Sequence, residues 1–294
     1  MSLPEAQLLF EAGAELGEGP VWDSRIGRLW WVDITASKLH RFDPESLKDE
    51  AFDVGSHIGA AVPEEGGELL LAVKDGFARF SQGKVSPLSL MGGAEPDSRN
   101  IRFNDGKCDP AGRFWAGTMA YDGSAGAGNL FCLERDLSVS RKIKGVTISN
   151  GLDWSVDSKE MYYIDTPTQR VLAFAYDSLT GAIGQAKVAV EIDKAEGSPD
   201  GMCVDNFGAL WIALWNGGKL IRCNAKTGER LGEVQVPGAS RVTSCAFGGP
   251  GLETLYITTA RGGEAQPAQL GGSLFSVRPG AGIHGLPANR FKAL

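Results

Sequence analysis

Histidine is scarce in this chain of 294 residues: there are three, His40, His57 and His284, and they do not cluster. There is no HExxH, no GxSxG and no evident Ser-His-Asp set, so zincin-type hydrolysis and acyl transfer through a nucleophile elbow lack their parts. The five cysteines (Cys108, Cys132, Cys203, Cys223, Cys245) are odd in number, contain no CxxC and lie mostly in hydrophobic runs. They read as buried free thiols, which excludes a disulfide framework and predicts a reducing, cytoplasmic setting. No stretch approaches the roughly 18 consecutive apolar residues of a membrane span. The N-terminus also lacks the charged and long apolar regions of a secretory leader, so no membrane association is expected. Positive charge is in deficit, at 29 Lys+Arg against 36 Asp+Glu for a net −7, with no basic stripe. Phosphate backbones are therefore unfavourable partners, and nucleic acid is not expected. Helical periodicity long enough for an α/β fold is absent as well.

What the chain does have is a repeat. Short hydrophobic runs begin at Leu29, Leu69, Phe114, Met161, Leu210 and Leu255, which are 40, 45, 47, 49 and 45 residues apart. Each run sits in a unit of about four β-rich segments. In the first unit these include Pro20 to Trp22, Leu29 to Val32 and Lys38 to Phe42, separated by turn residues such as Asp23 and Gly27. Turn chemistry at fixed offsets between β-rich runs is hairpin punctuation. A unit of this size cannot bury its faces alone and must stack on its neighbours. The sequence thus predicts an all-β fold, a six-bladed β-propeller of four-stranded blades around a central channel, as one domain over residues 1–294. The leading segment from Gln7 to Phe10 is expected to supply the missing outer strand of the last blade.

Ten or eleven residues before each run stand Glu18, Ile58, Asn104, Asn150, Asp200 and Ser244. In a propeller these in-phase positions ring one mouth of the channel. Glu18, Asn104, Asn150 and Asp200 make an oxygen donor set suited to Ca²⁺, Mg²⁺ or Mn²⁺, with Zn²⁺ and Fe²⁺ less favoured. Asp23, Asp109 and Asp205 each fall 5 residues later, at the other end of the strand, and are expected to form turns. Loops 121–128, 215–218 and 261–263 return to the mouth. His57 neighbours it, and His40 is expected to be structural.

The stretches LGEGPVWD (16–23), RFNDGKCDPAGRFWAGTM (102–119), ISNGLDWS (148–155), YYIDT (162–166) and SPDGMCVDNFGALWIA (198–213) resemble the senescence-marker-protein/gluconolactonase family of regucalcin-like sugar lactonases. The resemblance implies that Glu18, Asn150 and Asp200 hold one divalent cation, that Asn104 lies beside it and that Arg102 contacts substrate hydroxyls. Animal members carry two glutamates after GTMA, where this chain has Tyr121 and Asp122. The substrate of those relatives is therefore not carried over.

The function expected is hydrolysis of a small sugar-derived lactone to its aldonic acid. The cation would polarise the carbonyl, and Asp200 would take the proton of the attacking water. Arg102, Asn104 and Asp122 would position hydroxyls, with Tyr121 and Trp215 as stacking surfaces. The rival readings are a phosphotriesterase-like hydrolase and a cation-binding propeller without catalysis.

Overall fold

The computed structural model describes residues 3–90, 100–262, 269–280 and 282–294. Among these residues twenty-four strands form six antiparallel four-stranded sheets arranged in a ring, a six-bladed β-propeller. The only helical elements among the described residues are short 3₁₀ turns. Five blades are built from consecutive strands. The innermost strands of these blades are Gly17–Asp23, Ile58–Pro63, Ile101–Cys108, Ser149–Trp154 and Ser198–Val204. The sixth begins at Val242–Gly248, and its outermost strand is the N-terminal Gln7–Phe10, paired antiparallel with Leu274–Val277. Strand one of the chain thus fastens onto the last hairpin, and the ring has no open seam.

The hydrophobic runs that mark the repeat are the second strands, and their side chains fill the seams between blades. Six apolar clusters occupy the described interior, one per seam. Between blades five and six, for example, Trp211 and Leu220 meet Cys245, Leu255 and Phe275. Burial of this kind, rather than hydrogen bonding between sheets, holds the ring together.

The aspartates at the far end of the inner strands organise turns. Asp205 accepts from the Phe207 and Ala209 amides and, through its other oxygen, from Trp211 Nε1 at 3.0 Å and Arg222 Nε at 2.8 Å. Asp109 does the same with the Ala111 and Arg113 amides, Trp115 Nε1 and the Tyr176 hydroxyl. On this face the C-terminal segment crosses from blade five to blade two and on to blade three. Its anchors are the Asp205–Gly285 bridge, Phe291 N–H to Pro63 O and Lys292 N–H to Gly112 O. All five cysteines are free and buried.

Candidate functional site

At the opposite end, every innermost strand has an irregular step in its pairing with the second strand. The steps fall between Glu18 and Val21, Ile58 and Ala60, Phe103 and Asp105, Ser149 and Leu152, Pro199 and Met202, and Val242 and Ser244. A bulge breaks strict alternation and re-aims a side chain, here toward the channel mouth. Glycine follows four of the in-phase residues directly: Gly19, Gly59, Gly151 and Gly201. A Cβ on Gly151 would stand 2.7 Å from the Asp200 carbonyl oxygen, and one on Gly201 would stand 2.1 Å from Ser244 Oγ. Adjacent inner strands approach closely at the site only because these positions lack a side chain.

Glu18, Asn150 and Asp200, from blades one, four and five, are buried at 3%, 4% and 5% exposure and face one another. Burial pushes the Glu18 carboxyl well above its ordinary range, and the charges of Asp200 and Asp105 push it further. Burial likewise raises Asp200, with Asp105 adding to it, while the Asn150 amide, the Glu18 carboxyl and Arg102 pull it back. Without a positive partner the two carboxyls therefore hold their protons to higher pH than free carboxyls do. The amide of Asn150 is oriented by Thr166, whose Oγ accepts from Asn150 Nδ2 at 2.9 Å and donates to Pro199 O. That leaves Asn150 Oδ1 buried without a donor, and Asp200 Oδ1 is in the same condition. Among the described residues no three His, Cys, Asp or Glu side chains form a metal-holding group. This candidate set is two carboxylates and an amide oxygen instead, and two orphaned buried acceptors beside a buried acid fit a hard cation.

Asn104 differs from its in-phase counterparts. Its Oδ1 accepts from Arg102 Nη1 at 2.7 Å and its Nδ2 donates to Ser149 O at 2.8 Å, so both ends are engaged. It stands beside the acid set rather than completing it. The Arg102 guanidinium also donates to Phe103 O and lies in the field of Glu18, Asp200 and Tyr121. Burial lowers its pKa, and those neighbours oppose the shift. Tyr121 stands at the rim, 39% exposed, and its hydroxyl shares a 2.8 Å hydrogen bond with His57 Nδ1. Asp122 is exposed and turned to its own loop, where it accepts from the Ser124 amide and hydroxyl. Trp215 has one ring face covered by the Arg241 guanidinium at 4.9 Å. Gly263 of loop 261–263 lies outside the described residues. His40 is paired with Asp49 at 2.6 Å and stacked on Trp31, away from the mouth.

Sequence reasoning passed over Asp105, Lys107 and Asp153. They lie on the channel wall behind the acid set, where Lys107 Nζ donates to Asp153 Oδ2 and Met202 O, both at 2.9 Å. Asp105 is pushed up to about 6 by burial, against the pull of Lys107. These three line a cavity of ≈ 370 Å³ whose far end is covered by 286–289. The bulge at Phe103/Asp105 lets consecutive residues serve mouth and channel, which strict period-two reading hides. The Gly after Glu18, Asn150 and Asp200 was the signal within reach.

A family model described as the SMP-30/Gluconolactonase/LRE-like region matches residues 16–261. The chain is 40% identical over 256 residues to the putative sugar lactone lactonase YvrE of Bacillus subtilis, covering 87% of each chain. It is 40% identical over 294 residues to regucalcin of Danio rerio, covering 98% of each. Among solved structures it superposes on a calcium-binding protein, regucalcin, from Agrobacterium tumefaciens with a TM-score of 0.91 at 26% identity, over 100% of this chain and 99% of the other. Among the described residues no helix is long and apolar enough to cross a membrane.

Proposed function

The chain belongs to the SMP-30/Gluconolactonase/LRE-like family, and from that premise we propose that it hydrolyses a sugar-derived lactone to the corresponding aldonic acid, using one divalent cation. The observation that carries this reading is the pair of buried, unpartnered oxygens, Asn150 Oδ1 and Asp200 Oδ1, beside Glu18. Each unsatisfied buried acceptor costs about 1–3 kcal/mol, a penalty that a bound cation removes. Glu18, Asn150 and Asp200 would hold that cation. Their hard oxygens favour Ca²⁺, and Mg²⁺, Mn²⁺, Zn²⁺ or Fe²⁺ also accept such donors. When bound it supplies positive charge that polarises the lactone carbonyl and stabilises the developing oxyanion.

The remaining work falls to the side chains. Arg102, held by Asn104 and the Phe103 carbonyl, presents a fixed guanidinium to ring hydroxyls. Asn104, tied to Ser149 O, keeps that guanidinium from swinging away. Asp200, ionised, accepts the proton of the attacking water as general base. Tyr121 and Asp122 contact the outward part of the sugar at the rim. We place the reaction in the cytoplasm, in keeping with five free, buried thiols.

The experiment is a pH-stat assay over a lactone panel, run after chelation and again with individual cations restored, with phosphotriesters as comparison substrates. Turnover of a lactone that disappears on chelation, returns with a cation and is abolished by Asp200→Ala supports the reading. Lactone hydrolysis indifferent to every cation, or Asp200→Ala at near-normal rate, overturns it.

A further inference from the structure

His57 and Tyr121 come from different blades, one immediately before the inner strand of blade two and the other immediately after the second strand of blade three. Their side chains share a 2.8 Å hydrogen bond across 64 residues of sequence, with ring centroids 5.5 Å apart. Among the described residues the tyrosine is otherwise hydrogen-bonded through its backbone, whose N–H donates to Asn100 O. After it the loop runs exposed from Asp122 to Gly126. Without the histidine, then, the phenol sits at the start of a solvent-exposed loop with no other described residue hydrogen-bonding its hydroxyl.

Depth orders the mouth. Asp200, Asn104 and Arg102 are buried at 5%, 6% and 7% exposure, whereas Tyr121 is 39% exposed. Arg102 faces both the acid set and Tyr121. A lactone whose carbonyl reaches Asp200 and whose ring passes Arg102 brings its exocyclic arm to the Tyr121 level. From this placement we propose that His57 is a positioning residue for specificity: it fixes the Tyr121 phenol so that Tyr121 contacts the hydroxyl-bearing arm of the lactone. Burial, together with Arg102 and Lys74 and against Glu15, lowers the His57 pKa, so the ring is neutral when it meets the phenol. Burial raises the Tyr121 phenol, with Asp75 adding to it and Arg102 opposing, so that partner is neutral as well. A neutral pair makes a directional bond rather than an ion pair, which is what positioning needs.

The inference rests on the lactonase reading, and a matched pair of substrates separates the two. D-glucono-1,5-lactone carries a hydroxymethyl arm that D-xylono-1,5-lactone lacks. One lost hydrogen bond of ordinary strength corresponds to about a 3- to 10-fold effect. His57→Phe and Tyr121→Phe should each raise KM for the glucono-lactone by about that factor with kcat nearly constant, and shift the xylono-lactone less than about twofold. His57→Asn, which keeps a polar group, should recover part of the loss. The double variant should be no worse than either single one, as residues acting through one contact require. Equal changes on both lactones, or additive losses, overturn the inference. If the wild type hydrolyses no lactone of the panel, the lactonase reading fails and calorimetric binding of gluconate and xylonate decides. A His57→Phe defect confined to gluconate sustains the positioning role, while unchanged or absent gluconate binding overturns it. Melting temperatures of each variant establish that the fold is intact.

Discussion

A buried carboxylate is a poor stabiliser until something positive arrives, and Asp200 shows this at the scale of one residue. Burial and the Asp105 charge hold its pKa well above the ordinary range, and Glu18 across from it is raised for similar reasons. A group whose folded pKa is raised contributes stability below its unfolded pKa, near ~4, and loses that contribution as pH rises through the folded value. At neutral pH the chelated protein therefore carries an electrostatic penalty at the mouth. Asp200→Asn removes one of the two opposed carboxyls while keeping size and hydrogen bonding. It should raise the melting temperature of the chelated protein at pH 8, at roughly 2–4 °C per kcal/mol relieved, while abolishing lactone turnover. Calorimetry beside the pH-stat assay checks both halves, and a destabilised Asp200→Asn would contradict the electrostatic account. On the proposed function, activity and local instability would go together here, as active sites often require.

At the scale of the strand, the site is made by interruptions. Each inner strand bulges where it reaches the mouth, and Gly151 and Gly201 let neighbouring strands close to contact. Gly201→Ala places a methyl 2.1 Å from Ser244 Oγ, so blades five and six must part at the mouth. The expected cost is on the order of 1–3 kcal/mol, with cation affinity reduced much more than helical or strand content changes. Titration of the cation by calorimetry, set against far-ultraviolet dichroism, tests it. Normal affinity in Gly201→Ala would show that close packing of these strands does not shape the site.

These elements also explain what could be read from the sequence. The spacing of the second-strand runs carried the blades, and the phase before them carried Glu18, Asn104, Asn150 and Asp200, because a repeated fold keeps offsets that a single strand would not. Phase alone could not separate Asn104, whose carbonyl is taken by Arg102, from Asn150, whose carbonyl is left bare by Thr166. That distinction lies in hydrogen bonds between distant segments. Lys107 and Asp153 were hidden for a different reason: a buried pair on the channel wall has no spacing signature, since its members belong to different blades.

For the whole molecule, the acid set joins blades one, four and five around the channel, while Gln7–Phe10 and the C-terminal segment tie the ring at its perimeter and far face. A cation at the mouth would therefore act on global stability, adding about 2.7 kcal/mol when its concentration is 100 times Kd. Its affinity would depend on pH, because Glu18 and Asp200 would have to surrender protons to hold it. Other carboxyls work in the reverse direction. Hydrogen bonds from Arg230 and Lys219 lower Glu196, and those from Lys142 and Ser140 lower Glu134 against its burial, so their stabilisation is present at neutral pH and fades as pH falls. Both forms of the protein share that acid-side loss, which cancels in a comparison of chelated with cation-loaded samples. The difference between their melting temperatures should thus isolate the mouth: largest near pH 8, shrinking as pH drops and vanishing near pH 4, where protons and cation no longer compete on even terms. Scanning calorimetry across that range, with and without chelator, measures the gap directly. A gap that stays constant with pH would mean that the stabilising cation sits on groups other than Glu18 and Asp200.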